Sequence, residues 1–450
     1  MQFQLTNDFI EQIEQLIANK DGNALRQLLE EFHFADIAEI LEELSSDEAT
    51  YLIKLLESDI TSEALIELDE DIREKILERL SPKEIAAELE EMDTDDAVDV
   101  MGELDEDIQK QVIGEIEDSE HVADIVELLK YDEDTAGALM AKELVKVKET
   151  WTVAGCVREM RRQAKNVTRV HSIYVVNKQG KLTGRLSLKD LLTASEKAHI
   201  SDVFIPKVDY VTVHTENEEV ARIMQKYDLE AIPVVNENGI LVGRITIDDI
   251  VDFIKEEAER DYQMAAGISE DVEADDSMRK IIRARLPWLI LALAGGFISV
   301  TVLGTFSDAI AEHAALFFFV PLIAAMAGNV GVQSSAIVMQ GLANNSLKDS
   351  LLKRLLKEVV LSLFNGFVLS ILLIVGGTFI MGLNFKFGLT IAISLISVII
   401  SASLIGTFVP IILDKRGIDP AMATGPFITT SNDILGILIY FTIAKLILGF

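Results

Sequence analysis

An aspartate stands inside an otherwise apolar stretch near the end of the chain. Asp433 ends the polar sequence TTSND (residues 429–433), and apolar residues flank this sequence on both sides. A carboxylate at membrane depth is costly unless a cation or water compensates its charge. The apolar stretches of the chain offer no Lys or Arg at a matching depth, which disfavours a structural ion pair. We therefore expect Asp433 to mark an ion path, as intramembrane acids typically do.

A second polar stretch interrupts an earlier apolar run. The sequence PLIAAMAGNVGVQSS (residues 321–335) contains Gly328 and Asn329 among small residues. Small residues allow helices to approach closely, so helix packing is one interpretation. The other is a hydrated path lined by backbone carbonyls and amide side chains, which the presence of Asp433 favours. Oxygen ligands without a thiolate or imidazole cluster indicate Mg²⁺ or Ca²⁺ rather than a softer metal.

Five apolar runs are long enough to cross a membrane, because a helix needs about 20 residues to span the hydrocarbon. An odd number of spans places the two ends of the chain on opposite sides. Basic residues predominate on the side of the N-terminal region by eight to two, which predicts that this region is cytoplasmic and that the C-terminus lies outside. The eight are Arg283, Arg285, Lys348, Lys353, Arg354, Lys357, Lys415 and Arg416, and the two are Lys386 and Lys445. The predicted spans lie near 286–306, 314–341, 359–383, 387–413 and 426–449.

Charge is divided unevenly along the 450 residues. The chain has 74 acidic and 40 basic residues, yet residues 281–450 hold only seven of the acids and ten of the bases. The first 280 residues are therefore strongly acidic, which excludes the basic surface of a nucleic-acid binder. The single cysteine, Cys156, excludes a disulfide framework. No P-loop, HExxH or Ser/His/Asp pattern indicates an enzyme.

Two copies of one unit follow each other between about residues 133 and 255. The sequence IYVVN (173–177) recurs as IPVVN (232–236), 59 residues later, and glycines follow both copies at the same spacing. Each copy predicts a strand, a turn, a second strand and a capped helix. These tandem units resemble cystathionine-β-synthase (CBS) domains, whose helix-start aspartate contacts nucleotides. The resemblance implies Asp190 and Asp249 as adenosine-nucleotide contacts, although helix capping alone also accounts for them.

The N-terminal 130 residues have helical periodicity throughout, with an imperfect repeat of 48 residues. Stacked helical repeats of this kind form a small superhelix. Asp95 and Asp99 are four residues apart, so they fall on one helix face and could share a cation. They could equally serve the N-terminus of that helix, where negative charge is favourable.

An acidic helix is predicted over residues 247–268, between the CBS-like repeats and the first span. Like charges at helical spacing repel each other, so cations or a basic partner would stabilise it. Divalent-ion binding and a merely solvated acidic face are both consistent with this pattern. Its acids are Asp248, Asp249, Asp252, Glu256, Glu257, Glu259 and Asp261.

The whole chain resembles the MgtE family of magnesium channels and transporters. The resemblance rests on the order of its segments and on two motifs, PLIAAMAGNVGVQSS (321–335) and DPAMATGPFITTSNDILGILIYF (419–441). It implies an acidic superhelical N-domain (1–131), an α/β tandem CBS pair (132–251), a connecting or plug helix (252–280) and a five-helix transmembrane domain (281–450). It also implies a homodimer in the plasma membrane with a Mg²⁺-selective pore that closes when cytosolic Mg²⁺ is high.

The resemblance assigns roles to individual residues. Asp433, Asn329, Gly328 and Asp419 are implied in pore metal binding. Lys189, where the family often has arginine, and Asp190 are implied in ATP binding. Arg260 departs from the family pattern, which usually has an acid there, so the number of metal sites stays open. The implied regulatory Mg²⁺ ligands are Asp95, Asp99, Asp249, Asp252, Glu257, Asp261, Glu216 and Asp228.

The acidic balance suggests how such a protein would be gated. Repulsion between acidic regions would be relieved by shared divalent ions, which favours a compact closed state at high Mg²⁺. Two other functions stay open: a gradient-coupled carrier in which Asp433 exchanges protons for metal, and a membrane-anchored metal sensor without permeation.

Overall fold

The computed structural model describes residues 5–164, 167, 169–269, 272, 274, 276–343, 346–347, 350–382, 384–423 and 425–449. The chain forms two compact units, Met1–Lys255 and Glu256–Phe450. Lys348, which contributes to the predicted orientation, lies outside the described residues.

The N-terminal residues fold into short stacked helices, as the periodicity predicts. Alternate helices pack on each other, and their apolar faces join one continuous core. Reciprocal capping by Ser45 with Glu48, and by Ser81 with Glu84, fixes the start of two of them. The superhelical N-domain is thereby confirmed. The helices are α1 (Asn7–Ala18), α2 (Gly22–Leu29), α3 (Phe34–Glu43), α4 (Ser46–Leu55), α5 (Ser58–Ile66), α6 (Glu70–Leu77), α7 (Pro82–Leu89), α8 (Thr94–Gly102), α9 (Glu106–Glu115) and α10 (Ser119–Leu128).

The two CBS-like repeats follow, each with a small sheet. In the first, β1 (Val145–Lys148) pairs in parallel with β2 (Ile173–Val176), and β3 (Leu182–Leu186) lies antiparallel between β2 and β4 (Ile205–Pro206). In the second, β5 (Val211–Thr212) pairs in parallel with β6 (Ala231–Val235), which is antiparallel to β7 (Leu241–Thr246). The helices are α11 (Val153–Gln163), α12 (Leu188–Thr193), α13 (Asn217–Tyr227) and α14 (Ile247–Ala266).

The turns of the repeats pair with each other. Gly180 and Gly239 both have positive φ, +80° and +76°, so glycine is required at each turn. The amide of Leu182 donates to the Gly239 carbonyl, and the amide of Leu241 donates to the Gly180 carbonyl, both at 3.1 Å. The predicted strand, turn, strand and helix order is confirmed in both repeats.

Five helical segments in the described part of the second unit are long and apolar enough to cross a membrane: Met278–Gly304, Ala314–Ala343, Leu351–Ile380, Phe385–Asp414 and Gly425–Leu448. The first and third begin eight residues earlier than the sequence predicts. These helices continue beyond the apolar segment into basic turns, because long basic side chains reach the interface from a helix end. The α-helices described in this part of the chain are α15 (Met278–Gly304), the short α16 (Ser307–Glu312), α17 (Val320–Ala343), α18 (Leu351–Met381), α19 (Phe385–Asp414) and α20 (Gly425–Leu448).

Helix α19 forms the centre of this unit and packs on α17, α18 and α20, while α15 packs on α20. The three helices α17, α19 and α20 approach each other most closely at glycine residues. A Cβ at Gly406 would collide with the Gly331 carbonyl, and a Cβ at Gly331 would collide with the Asn432 amide. Small residues at these positions let the backbones approach.

Candidate metal sites

Asp433 lies in α20 and faces a cavity of about 410 Å³. Its side chain is half-buried. Among the described residues no charged side chain acts on it, so burial is not compensated by an ion pair. The cavity walls carry small residues and hydroxyl groups, which leave room for water. The lining residues are Ala266, Ala292, Gly295, Gly296, Ser299, Gly425, Pro426, Thr429, Thr430 and Asp433.

The polar stretch of α17 shows both features that the sequence left open. Gly328 is buried, and a Cβ there would lie 3.3 Å from Thr429, so this side of α17 packs against α20. Asn432 of α20 donates to the Ala327 carbonyl at 3.4 Å. Asn329 is exposed on the surface of the single chain. Packing therefore accounts for the glycine, whereas the asparagine is directed away from the subunit core.

The end of α14 packs against the start of α20. A Cβ at Gly425 would collide with the Ala265 carbonyl, and a Cβ at Gly267 would lie 2.5 Å from Pro426. Since Ala266 also lines the cavity of Asp433, the last turn of α14 forms part of the cavity wall.

A pair of acids lies beside this junction. Asp419 is exposed, and its Oδ1 accepts the Ala421 amide at 2.7 Å. Partial burial raises the pKa of Asp261, and the negative charge of Asp419 raises it further. The two carboxylates therefore repel each other, and a cation between them would remove that repulsion.

The other acids of α14 are less enclosed. Asp252 is exposed, and Glu257 pairs with Arg260 one turn later. Arg260 thus places a positive charge beside Glu257.

In the first unit, three carboxylates converge where the N-domain meets the CBS pair. Asp93, Asp95 and Glu143 each offer an oxygen, and these oxygens lie within 4.8 Å of one another. Thr94 holds Glu143 in place, since its backbone amide and its hydroxyl donate to Glu143 Oε2 at 3.2 Å and 2.9 Å. Oxygen ligands at this spacing can hold a hard cation such as Mg²⁺.

Two further aspartates add charge to this three-carboxylate group. Burial raises the pKa of Asp95 well above its usual range, and the charges of Asp96 and Asp249 raise it further. Burial and the charges of Asp249 and Asp93 raise the pKa of Asp96 to about 8. Burial also raises the pKa of Asp249, against hydrogen bonds from Thr246. The ionised acids therefore destabilise one another, and a divalent cation bound between them would replace this repulsion with attraction.

The other predicted regulatory acids are placed differently. Asp99 is exposed, and its charge acts on Asp96. Glu216 and Asp228 are exposed at the two ends of α13. The three-carboxylate group joins Asp95 to Asp93 and Glu143. Glu143 carries no local signal in the sequence, because only the tertiary fold brings it to α8.

At the predicted nucleotide contacts, each helix-start aspartate bonds to the residue that precedes its helix. The Ser187 hydroxyl donates to Asp190 Oδ2 at 2.6 Å and accepts the Asp190 amide at 3.0 Å. In the second repeat, the backbone amide and the hydroxyl of Thr246 both donate to Asp249 Oδ2, at 2.8 Å and 2.7 Å. Lys189 is exposed beside the half-buried Asp190. Capping thus explains the two aspartates structurally, and the nucleotide role of Lys189 and Asp190 stays a prediction.

The fold and the cavity define a multi-pass membrane protein that joins a helical N-domain and paired CBS repeats to five candidate spans. Sequence profiles agree: a divalent cation transporter profile (MgtE) matches residues 320–443, an MgtE intracellular N domain profile matches 32–134, and a CBS domain profile matches 136–197 and 200–256. The chain belongs to the MgtE family, and it is accordingly a transporter rather than an enzyme.

Individual relatives support the same assignment. The magnesium transporter MgtE of Thermus thermophilus is 34% identical over 97% of this chain and 98% of its own length. The Bacillus subtilis magnesium transporter MgtE is 38% identical over 70% of each chain. A crystal structure of the cytosolic domain of the Mg²⁺ channel MgtE in complex with ATP is 34% identical, with a TM-score of 0.52, and covers 54% of this chain and 99% of that one.

Proposed function

We propose that this protein carries Mg²⁺ across a membrane and that Asp433 lies on the ion path. The observation that carries the proposal is a carboxylate in a spanning helix that faces a cavity and meets no charged side chain in the described part of the chain. Mg²⁺ gives up its water ligands reluctantly, so one carboxylate beside hydroxyl groups suits a hydrated ion. The magnesium transporters among the relatives support this choice of ion.

The path is formed by two copies of the chain. Asn329 is exposed on a spanning helix of the single subunit, and an amide side chain that faces lipid is costly. Most of α15 and α18 is also uncovered. A homodimer would turn Asn329 towards a shared hydrated path, with Gly328 and Asp433 nearby and Asp419 at the cytoplasmic mouth.

Cytosolic Mg²⁺ closes the path. Mutual repulsion among Asp95, Asp96 and Asp249 disfavours the compact state without a cation, and bound Mg²⁺ would stabilise it. A shift in the ratio of closed to open protein from 1:99 to 99:1 takes a difference in binding free energy of about 5.5 kcal/mol, which several ions can supply with about 1 kcal/mol each. Helix α14 carries Asp249 in its first turn and Ala266 in its last, so it connects the acids to the cavity wall. The remaining proposed regulatory ligands are Asp99, Asp252, Glu257, Asp261, Glu216 and Asp228.

The acidic N-terminal region faces the cytoplasm and the C-terminus lies outside, in the plasma membrane. The excess of basic residues on the first side supports this orientation, as does the similarity to a cytosolic domain. The same relative binds ATP, which supports ATP as a ligand of the CBS pair at Lys189 and Asp190. The proposed domains are 1–131, 132–251, 252–280 and 281–450.

Flux measurements on purified protein in liposomes test the ion path. We expect Asp433→Ala and Asp433→Asn to abolish Mg²⁺ uptake while thermal unfolding stays close to that of the unmodified chain. Asp308→Asn is the matched control, because Asp308 is an exposed acid of the same unit outside the cavity. Unchanged uptake in both Asp433 variants would exclude this residue from the path.

Electrical recording separates the alternatives. Resolved single-channel currents carried by Mg²⁺ support a channel, whereas measurable uptake without resolved currents, accompanied by proton movement, indicates a carrier. Liposomes that contain folded protein and pass no Mg²⁺ would indicate a sensor. Mn²⁺ and Co²⁺ in the same assay give the metal preference.

A further inference from the structure

A buried arginine lies at the edge of the three-carboxylate group. Arg244 belongs to β7, and its residue is only 5% exposed. Its backbone amide donates to the Ala141 carbonyl at 2.9 Å, and its carbonyl accepts the Ala141 amide at 2.8 Å. Two bonds to the segment that leads to Glu143 fix the position from which the side chain extends.

The guanidinium has few partners for its degree of burial. Its Nη2 donates to Asp93 Oδ2 at 3.2 Å, and its Nη1 lies 3.5 Å from the Arg169 carbonyl. Its Nε is buried without a hydrogen-bond partner among the described residues. Burying a charged group with an unsatisfied donor is costly, so the Arg244 guanidinium adds little to the free energy of unfolding.

The charges around Arg244 are mostly negative. It is paired with Asp93, and its charge also lowers the pKa of Asp249, opposing the effect of burial. The nearby Lys142 is paired with Glu127 at 2.8 Å. Arg169, whose carbonyl faces Arg244, exerts its own charge on Glu63. Arg244 is therefore a buried cation whose charge acts on both Asp93 and Asp249.

We propose that Arg244 is a positioning residue that serves as a resident counter-ion: it ties Asp93, and with it the start of α8, to the second CBS repeat, and thereby raises the Mg²⁺ concentration at which the acids bind metal. The inference rests on the proposed binding of regulatory Mg²⁺ at this group. A divalent ion that approaches the three carboxylates must either tolerate a fixed positive charge or displace it from Asp93. Both alternatives lower the affinity for the ion.

Hydrogen exchange of the full-length chain in detergent micelles tests this role. Protection of α8 and β7 is followed while Mg²⁺ is titrated, and the midpoint is compared between variants. We expect Arg244→Gln to lower the midpoint on the order of tenfold, because a positive charge near the ion is removed. Arg244→Lys keeps the charge and should stay within about twofold of the unmodified chain.

A charge-neutral double variant separates the counter-ion role from a structural one. Arg244→Gln with Asp93→Asn removes the whole ion pair, so it leaves no unpaired buried charge and stays informative if Arg244→Gln does not fold. We expect its midpoint to lie below that of Asp93→Asn alone, because both variants lack the Asp93 carboxylate and only the single variant keeps the positive charge. Arg222→Gln is the control, since Arg222 is paired with Glu219 on α13 of the same repeat.

Several results would overturn the inference. An unchanged or higher midpoint in Arg244→Gln would show that the arginine does not compete with the metal. Equal loss of protection in Arg244→Gln, Arg244→Lys and the double variant would assign it a purely structural role. If the unmodified chain shows no Mg²⁺-dependent protection, the proposed regulatory binding fails as well, which distinguishes the two failures.

Discussion

Glu88 is a buried carboxylate in the N-domain whose protonation should control local stability. Its residue is 6% exposed, and its carboxylate accepts the Thr61 hydroxyl at 2.6 Å and the Ser58 hydroxyl at 3.2 Å. Burial raises the pKa of Glu88 to about 7, although both hydrogen bonds oppose the shift. The protonated form is therefore the one that the folded α5 and α7 favour.

The size and sign of the effect follow from linkage. A pKa of about 7 in the folded chain, against 4.5 for a free glutamate, corresponds to about 3 kcal/mol. Because the folded pKa is the higher one, this stabilisation is fully present below pH 4.5 and is lost as the pH rises through 7. Between pH 6 and pH 8 the local free energy of unfolding should fall by about 1.3 kcal/mol.

Hydrogen exchange of α5 and α7, corrected for the intrinsic pH dependence of exchange, measures this free energy. We expect Glu88→Gln to abolish the change between pH 6 and pH 8 and to raise the value at pH 8 by up to about 3 kcal/mol, because the glutamine carbonyl still accepts the Thr61 hydroxyl without a charge.

Glu84 provides the matched control in the same helix. Hydrogen bonds from Ser81 and Lys54 lower its pKa, so it is ionised throughout this range and Glu84→Gln should not change the slope. A flat profile in the unmodified chain, or an unchanged slope in Glu88→Gln, would refute the reasoning.

Two further predictions concern the membrane unit and the regulatory acids. Gly406→Ala should lower the unfolding temperature in detergent, because a Cβ there collides with the Gly331 carbonyl and overpacking costs about 1–3 kcal/mol. Gly376→Ala is the control and should leave the unfolding temperature unchanged, because the space around Gly376 is open. Equal unfolding temperatures for the two variants would contradict the helix packing. Asp95→Asn with Asp99→Asn should shift the inhibition of Mg²⁺ uptake to higher internal Mg²⁺, and an unchanged inhibition curve would exclude both acids from gating.

Local patterns predict most of the fold. The CBS repeats were predictable because Gly180 and Gly239 occupy turns that demand positive φ, and the flanking strands repeat with them. The spans were predictable from the length of apolar sequence alone. The ends of these helices were less predictable. Helix α15 begins at Met278, before the predicted span, because a helix can continue beyond the hydrocarbon where basic side chains are solvated.

The site was only partly predictable, for a physical reason. Asp433 is conspicuous because a charge within an apolar run is itself a local signal. Glu143 lies in the loop before β1 and Arg244 lies in β7, and only tertiary packing brings them to the start of α8. Helical spacing pairs Asp95 with Asp99, whereas the fold groups Asp95 with residues on both sides of a domain junction.

The contact between Ala265 and Gly425 involves backbone on both sides, with no flexible side chain between them to absorb a displacement. The two segments therefore have little room to shift against each other. A displacement of the end of α14 either moves the first turn of α20 with it or separates the two segments, so intermediate positions are poorly populated. Under the proposed gating, opening at this contact should consequently be abrupt rather than graded.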